Sequence, residues 1–236
     1  MIFSINLKKY RVIFVLVICS VIIASFVFGT VVATSNTPKP IYAVVIDAGH
    51  GGVDGGSTGA TTGITERELN LIYANKIEKY LKACNINVVQ TRTTMNGLYD
   101  YYDDDFKQRD MEKRKEIIDK INPDLVVSIH MNKFADSSQN GAQVFYAKDN
   151  KGAENLANSI RDELVKKFEN ARKLTLAGDY YMTNCTEKPS VIVECGFLSN
   201  PQEEANLIDE DYQNKMSYAI FCGIMHYFLT NYGVEM

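Results

Sequence analysis

Three stretches of this chain, VVID (residues 44–47), LVVSIH (125–130) and VIVE (191–194), are almost wholly apolar and then stop on an ionisable side chain. A strand exposed on one face alternates apolar and polar residues, so continuously apolar runs need cover on both faces. That requirement points to an α/β protein with helices packed on both sides of one sheet. The intervening segments supply the helices. Helix-period patterns run over Glu66–Ala83, Lys107–Ile121, Ala153–Phe168 and Tyr212–Tyr232, and further strands are expected at Ile86–Arg92 and Ala142–Ala147. With the apolar runs extended to Tyr42–Asp47, Asp124–His130 and Ser190–Glu194, strand and helix alternate, which predicts a mostly parallel sheet. No internal repeat interrupts the pattern.

The N-terminal 40 residues have a different character. Val12–Ala33 carries no charge, is long enough to approach the ~20 residues that cross a hydrocarbon core, and comes after Lys8, Lys9 and Arg11. This arrangement keeps the short N-terminus inside and exports the rest of the chain. A signal anchor over residues 1–33 is the favoured reading; a signal peptide cut after Ala33 is the alternative. Residues 34–40, TSNTPKP, form a linker, and 41–236 form the single expected catalytic domain.

Charge narrows the partners. Residues 1–40 hold Lys8, Lys9, Arg11 and Lys39 and no acid, so the domain beyond them moves from the chain's formal −4 to −8. Proteins that neutralise a phosphate backbone lean the other way, so nucleic acid is excluded as an expected partner. Cys84, Cys185, Cys195 and Cys222 show no CxxC spacing and read as small buried hydrophobes, with a Cys185–Cys195 bridge as the alternative.

The glycine-rich turn after the first strand, DAGHGGVDGGSTG, has the look of a phosphate loop but lacks its residues. A dinucleotide fingerprint counted from Gly49 ends on Asp54, and a P-loop counted from Gly51 has Ser57 where lysine must stand. His50 instead lies just past a strand end, where open α/β sheets bind ligands. His130 and Glu194 end two other apolar strands. Two imidazoles and a carboxylate suit Zn²⁺, which in catalytic sites takes three protein ligands and leaves one position open. Asp54, Glu66, Glu68 and Glu194 are the candidate carboxylates. Thr65-Glu66-Arg67-Glu68 matches a capping box that occupies Glu68 and leaves Glu66 free. His50, Glu66 and His130 are then ligands, and the unligated Glu194 is a general base. The spacing is not that of a helical HExxH site, so no short motif establishes this.

DAGHGG, GITERELNL, LVVSIHMN and VIVECGFLSNPQEEANL, in this order between Ile41 and Tyr232, together resemble the zinc-dependent N-acetylmuramoyl-L-alanine amidases of the amidase-3 type. The resemblance implies a twisted six-stranded sheet between helices and hydrolysis of the amide joining N-acetylmuramic acid to L-alanine in peptidoglycan. It implies zinc on His50, Glu66 and His130, with Glu194 as catalytic base. A membrane run joined to a bare catalytic domain is similar to the subgroup acting in spore cortex formation, where peptide removal precedes muramic δ-lactam. That places the domain outside the cytoplasm, between the forespore and mother-cell membranes. The alternatives are an exported zinc carboxypeptidase acting on the stem peptide and a non-catalytic peptidoglycan-binding protein. The glycine loop at 49–63 also suggests an envelope protein that orders it and strengthens zinc binding.

Other features have plainer expectations. Arg92 and Arg114 read as partners of structural acids, with substrate carboxylates as the alternative. Asn70 either faces the site or supports its helix, and Ser128 and Asn132 flank His130. His226, in FCGIMHYFL, reads as packed core. LYDYYDDD at 98–105 reads as a solvated loop, with a calcium or partner site as the alternative, and is longer than the usual connection in the family. Cys195 stands where a small aliphatic residue is usual.

Overall fold

Parallel pairing of the three apolar runs builds the centre of the sheet. The computed structural model describes residues 17–21, 42–99 and 105–233. The strands are β1 (Ala43–Ala48), β2 (Asn87–Gln90), β3 (Leu125–Asn132), β4 (Gln143–Tyr146), β5 (Leu176–Ala177) and β6 (Ser190–Phe197). They form one six-stranded sheet in the order β2-β1-β3-β6-β4-β5. The first four in that order are parallel to one another, β4 is antiparallel to β6, and β5 is parallel to β4. The expected mostly parallel α/β architecture is present.

The helices are α1 (Glu66–Ala83), α2 (Phe106–Ile121), α3 (Lys151–Lys167), α4 (Tyr181–Asn184), α5 (Pro201–Ile208) and α6 (Glu210–Tyr232). Their starts are chemically marked. The Glu68 carboxylate accepts from Thr65 N at 2.9 Å and from the Thr65 hydroxyl at 2.7 Å, so Glu68 is spent on the start of α1. Asn150, Asn200 and Asp209 cap α3, α5 and α6 with their side chains.

Side-chain alternation along the strands divides the core in two. Val44 and Ile46 of β1, Val127 and Ile129 of β3, and Val191 and Val193 of β6 face a large core with α1, α3, α5 and α6. Val45, Val126 and Ile192 point the other way, into a small core completed by Ile118 of α2 and Met182 of α4. One face is thus thickly covered and the other thinly. By the period of two, Asp47, Ser128, His130 and Glu194 all belong to the thin face. Apolar cover runs out there, and ionisable side chains take over.

Several expectations need correction. His226 is exposed, because the buried stripe of α6 runs through Met216, Ile220, Gly223, Ile224 and Tyr227 and His226 lies off it. The cysteines are all free. Cys195 is buried, but Cys84 is exposed and Cys185 and Cys222 are half-buried, so only Cys195 behaves as a core hydrophobe. The periodicity does not reveal β5, α4 or α5, although Asn200-Pro201, a cap before proline at the first helical position, announces α5.

The chain separates into the units Met1–Lys39 and Pro40–Met236. Of the first, only a helical stretch at 17–21 is described. Most of the expected anchor, the linker at 34–40 and residues 100–104 lie outside the described residues. Among the described residues no helix is long and apolar enough to cross a membrane.

Gly223 of α6 sits against the backbone of Ile160 in α3, where an added Cβ would collide with Ile160 Cα. Gly223→Val is expected to cost about 1–3 kcal/mol through overpacking. The check is a lower thermal unfolding midpoint by circular dichroism, with secondary structure at low temperature unchanged.

Candidate metal centre

The site begins at a strained turn. His50, immediately beyond β1, has φ 60°, a left-handed conformation that costs a residue with a side chain about 1–2 kcal/mol. Two buried guanidinium groups hold the backbone in place. Arg114 donates to Ala48 O at 2.8 Å and His50 O at 2.6 Å. Arg92 donates to Ala48 O at 2.8 Å and Gly49 O at 2.9 Å. Both arginines therefore serve the turn, and the substrate-carboxylate alternative falls away for each.

Arg114 is fully buried and paired with Asp47 at 2.5 Å and Asp110 at 2.6 Å. Burial alone would raise the Asp47 pKa, but Arg114 and the hydroxyls of Ser128 and Thr91 hold it down to about 2. Ser128 thus serves Asp47 rather than His130. Asn132 hydrogen-bonds Gln143 at 3.0 Å, also away from His130.

Glu66, at the first position of α1, points into the turn. Its Oε1 accepts from Met131 N at 3.1 Å and lies 2.9 Å from His130 Nδ1 and 3.2 Å from His50 Nε2. Its Oε2 accepts from Ser57 N at 2.8 Å. Behind His50, Asp54 Oδ2 lies 2.9 Å from Nδ1, so Asp54 orients this imidazole and leaves Nε2 facing Glu66. Asn70, one turn beyond Glu66, donates to Gly49 O at 3.1 Å and reaches Glu66 Oε1 at 3.4 Å. It both supports the turn and faces the site.

One donor atom from each of His50, Glu66 and His130 falls within a 4.8 Å cluster. Burial opposes charge on His50 and Glu66, yet attraction to their neighbours dominates. Glu66 is held well below the usual carboxylate range by the two imidazoles. His50 is pushed up to about 9 by Asp54 and Glu66.

Glu194 sits beside His130 in the β3–β6 register. Its Oε2 is buried without a hydrogen-bond partner, and burial raises its pKa to about 7. Two imidazole nitrogens, one carboxylate oxygen and an adjacent unpartnered carboxylate are a donor set that could hold a divalent cation such as zinc. The four sequence candidates are therefore neighbours in space.

A cavity of about 310 Å³ opens beside His50 and His130, walled by Phe106, Met111, Tyr180, Met182 and Ile192. A larger hollow of about 530 Å³, lined by Asp149, Asn184 and Glu187 among others, includes none of the four residues. Sequence reasoning misses the work of Asp47, Asp110 and Asp54. Asp47 ends its apolar strand just as His130 and Glu194 end theirs, and that position is the signal by which it could be found.

An α/β sheet with two histidines and one glutamate at or just past the ends of adjacent strands, and a second glutamate opening the helix beside them, defines a class, α/β proteins with a candidate metal centre. Within it, the chain belongs to the N-acetylmuramoyl-L-alanine amidase family, whose model matches residues 44–226, and it is an amidase of that kind. It is 34% identical over 190 residues to the germination-specific N-acetylmuramoyl-L-alanine amidase of Bacillus subtilis, covering 78% of this chain and 79% of that protein. The CwlD amidase from Clostridioides difficile, solved in complex with the GerS lipoprotein, superposes with a TM-score of 0.77 at 33% identity, covering 80% of this chain and 100% of that one. The catalytic domain of CwlV, an amidase from Paenibacillus polymyxa, gives a TM-score of 0.71 at 31% identity, covering 80% and 98%.

A Cβ added to Gly49 would collide with the His130 ring. Gly49→Ala is expected to displace that imidazole and sharply lower bound metal while the fold persists. Metal content of the purified variant, read beside its circular dichroism spectrum, checks this.

Proposed function

We propose that this chain hydrolyses the bond between N-acetylmuramic acid and L-alanine using Zn²⁺ held by His50, Glu66 and His130, with Glu194 as the base. The convergence of those three donor atoms beside an unpartnered, buried carboxylate carries the reading. When bound, the cation supplies a Lewis acid that polarises the scissile carbonyl and acidifies water. The chain's own residues do the rest. Asp54 fixes the His50 ring, and Met131 N and Ser57 N fix the Glu66 carboxylate. Glu194 takes the proton from the attacking water and passes it to the departing amine of L-alanine. A carboxylate near neutrality suits both halves of that task, and a cation beside it would draw that raised pKa back down toward the base form.

We assign the domain to residues 41–236, and its place of action to the outside of the cytoplasm, as the likeness to cell-wall amidases supports. The uncharged run at Val12–Ala33 is the proposed membrane anchor. The likeness to a germination-specific relative supports a role in spore cortex maturation, in the space between the forespore and mother-cell membranes. The CwlD relative's complex with a lipoprotein supports an envelope protein as partner here.

Glu194→Gln is expected to lower hydrolysis of purified peptidoglycan by at least roughly 100-fold, the scale of general-base assistance, with zinc content retained. Full activity in that variant removes Glu194 from its role. The product should carry a new L-alanine amino terminus, and release of D-alanine without one would instead support a carboxypeptidase.

Zinc affinity should also depend on pH in a set direction. His50 in the metal-free protein is protonated below about 9, and a ligand imidazole must be neutral, so binding expels a proton. Affinity therefore rises with pH, by about tenfold per unit for one proton released, and levels off near pH 9. Competition with a chelator from about pH 6 to about pH 10, a span that brackets this titration, measures it.

A further inference from the structure

The turn carrying His50 is held from two sides. Upstream, Arg92 and Arg114 grip the carbonyls of Ala48, Gly49 and His50. Downstream, three consecutive residues, His50, Gly51 and Gly52, keep φ at 60°, 145° and 61°. If His50 relaxed to the ordinary right-handed region, its imidazole would swing away from Glu66.

The downstream grip comes from the head of the acidic, tyrosine-rich stretch. The Tyr99 hydroxyl donates to Gly51 O at 3.0 Å and accepts from Val53 N at 2.6 Å. One phenol thus bridges both arms of the turn. Met95 O adds a second tie by accepting from Gly52 N at 2.8 Å.

Tyr99 is itself anchored. Leu98 N donates to Asp110 Oδ1 at 2.7 Å, and the other oxygen of that carboxylate binds Arg114. The Tyr99 ring meets Phe106 at 5.2 Å. A Cβ at Gly97 would collide with the Tyr99 ring, and one at Gly52 with its hydroxyl, so the close approach requires glycine at both positions. Tyr99 is therefore half-buried and engaged, not part of a solvated loop as its sequence context suggests.

We propose that Tyr99 is a positioning residue for His50, its hydroxyl holding the 50–53 turn in the left-handed conformation that aims the imidazole at Glu66. The inference rests on His50 being a metal ligand. It gives the head of the insert a function that the family resemblance does not supply: a strap over the ligand turn, tied through Asp110 to the same arginine that grips the turn from below.

The test is zinc affinity of the full chain by chelator competition, for wild type, Tyr99→Phe and His50→Ala, with thermal unfolding of each metal-free protein in parallel. Tyr99→Phe removes one hydroxyl, and its zinc Kd should rise roughly two- to tenfold. Its metal-free unfolding midpoint should fall by only a few degrees, the scale of one lost hydroxyl. Wild-type zinc affinity in Tyr99→Phe overturns the proposal. An affinity loss accompanied by a fall in the metal-free midpoint of more than about 10 °C also overturns it, by making Tyr99 a packing residue. His50→Ala separates the two levels: if it keeps wild-type zinc affinity, the ligand assignment itself is wrong, whatever Tyr99 does.

Discussion

Arg114 carries a full positive charge with no access to water, and the site is arranged around satisfying it. Leaving such a charge unpaired costs about 3–5 kcal/mol, so Asp47 of β1 and Asp110 of α2 close on it from two sides. Its remaining donors go to the carbonyls of Ala48 and His50. One guanidinium thereby welds the end of a strand, a helix on the thin face and the ligand turn into a single unit. Ser128 and Thr91 extend the weld to β3 and the end of β2 through the Asp47 carboxylate. Of the candidate metal donors, His50 stands on that platform, whereas His130 rides on β3 and Glu66 on α1.

The electrostatics of the cluster are those of a place prepared for a cation. Glu66 lies between two imidazoles, and in the metal-free protein a proton on His50 compensates its charge. A divalent ion would replace that proton and serve all three donors at once. Glu194 faces the opposite problem. It is a buried carboxylate with one oxygen unpaired and no positive partner in hydrogen-bond contact, which is why burial dominates its titration. The site holds one carboxylate deeply ionised and another close to neutral, and the proposed division of labour between ligand and base rests on that contrast.

How much of the site is legible in the sequence differs from residue to residue. His130 and Glu194 stand out because each closes an apolar run, and His50 because it stands in a glycine-rich turn just past another; polarity at the end of a covered strand has few structural uses. Glu66 is separable from Glu68 because the capping box is a local pattern spanning four residues. Arg92, Arg114 and Tyr99 are less readable. Nothing within ten residues of Arg114 says that its main partner is Asp47, 67 positions earlier. Tyr99 looks like part of an exposed acidic loop, because its contacts with Gly51 and Val53 cross more than 40 positions. His226 misleads for a related reason. An apolar helix shows its composition in the sequence, but which stripe turns inward depends on where α3 packs.

The sequence by itself determined the α/β alternation, the strand ends that bear chemistry and the separation of Glu66 from its capping neighbour. All of these rest on local periodicity, hydrogen-bonding valence and hydrophobicity. The tertiary structure decided that the sheet has a thick and a thin face, that two arginines and a tyrosine brace the His50 turn, and that Glu194 keeps an unpartnered oxygen. Those outcomes depend on which distant groups meet once the helices dock, and on the water that docking removes, neither of which is written in any local window of the chain.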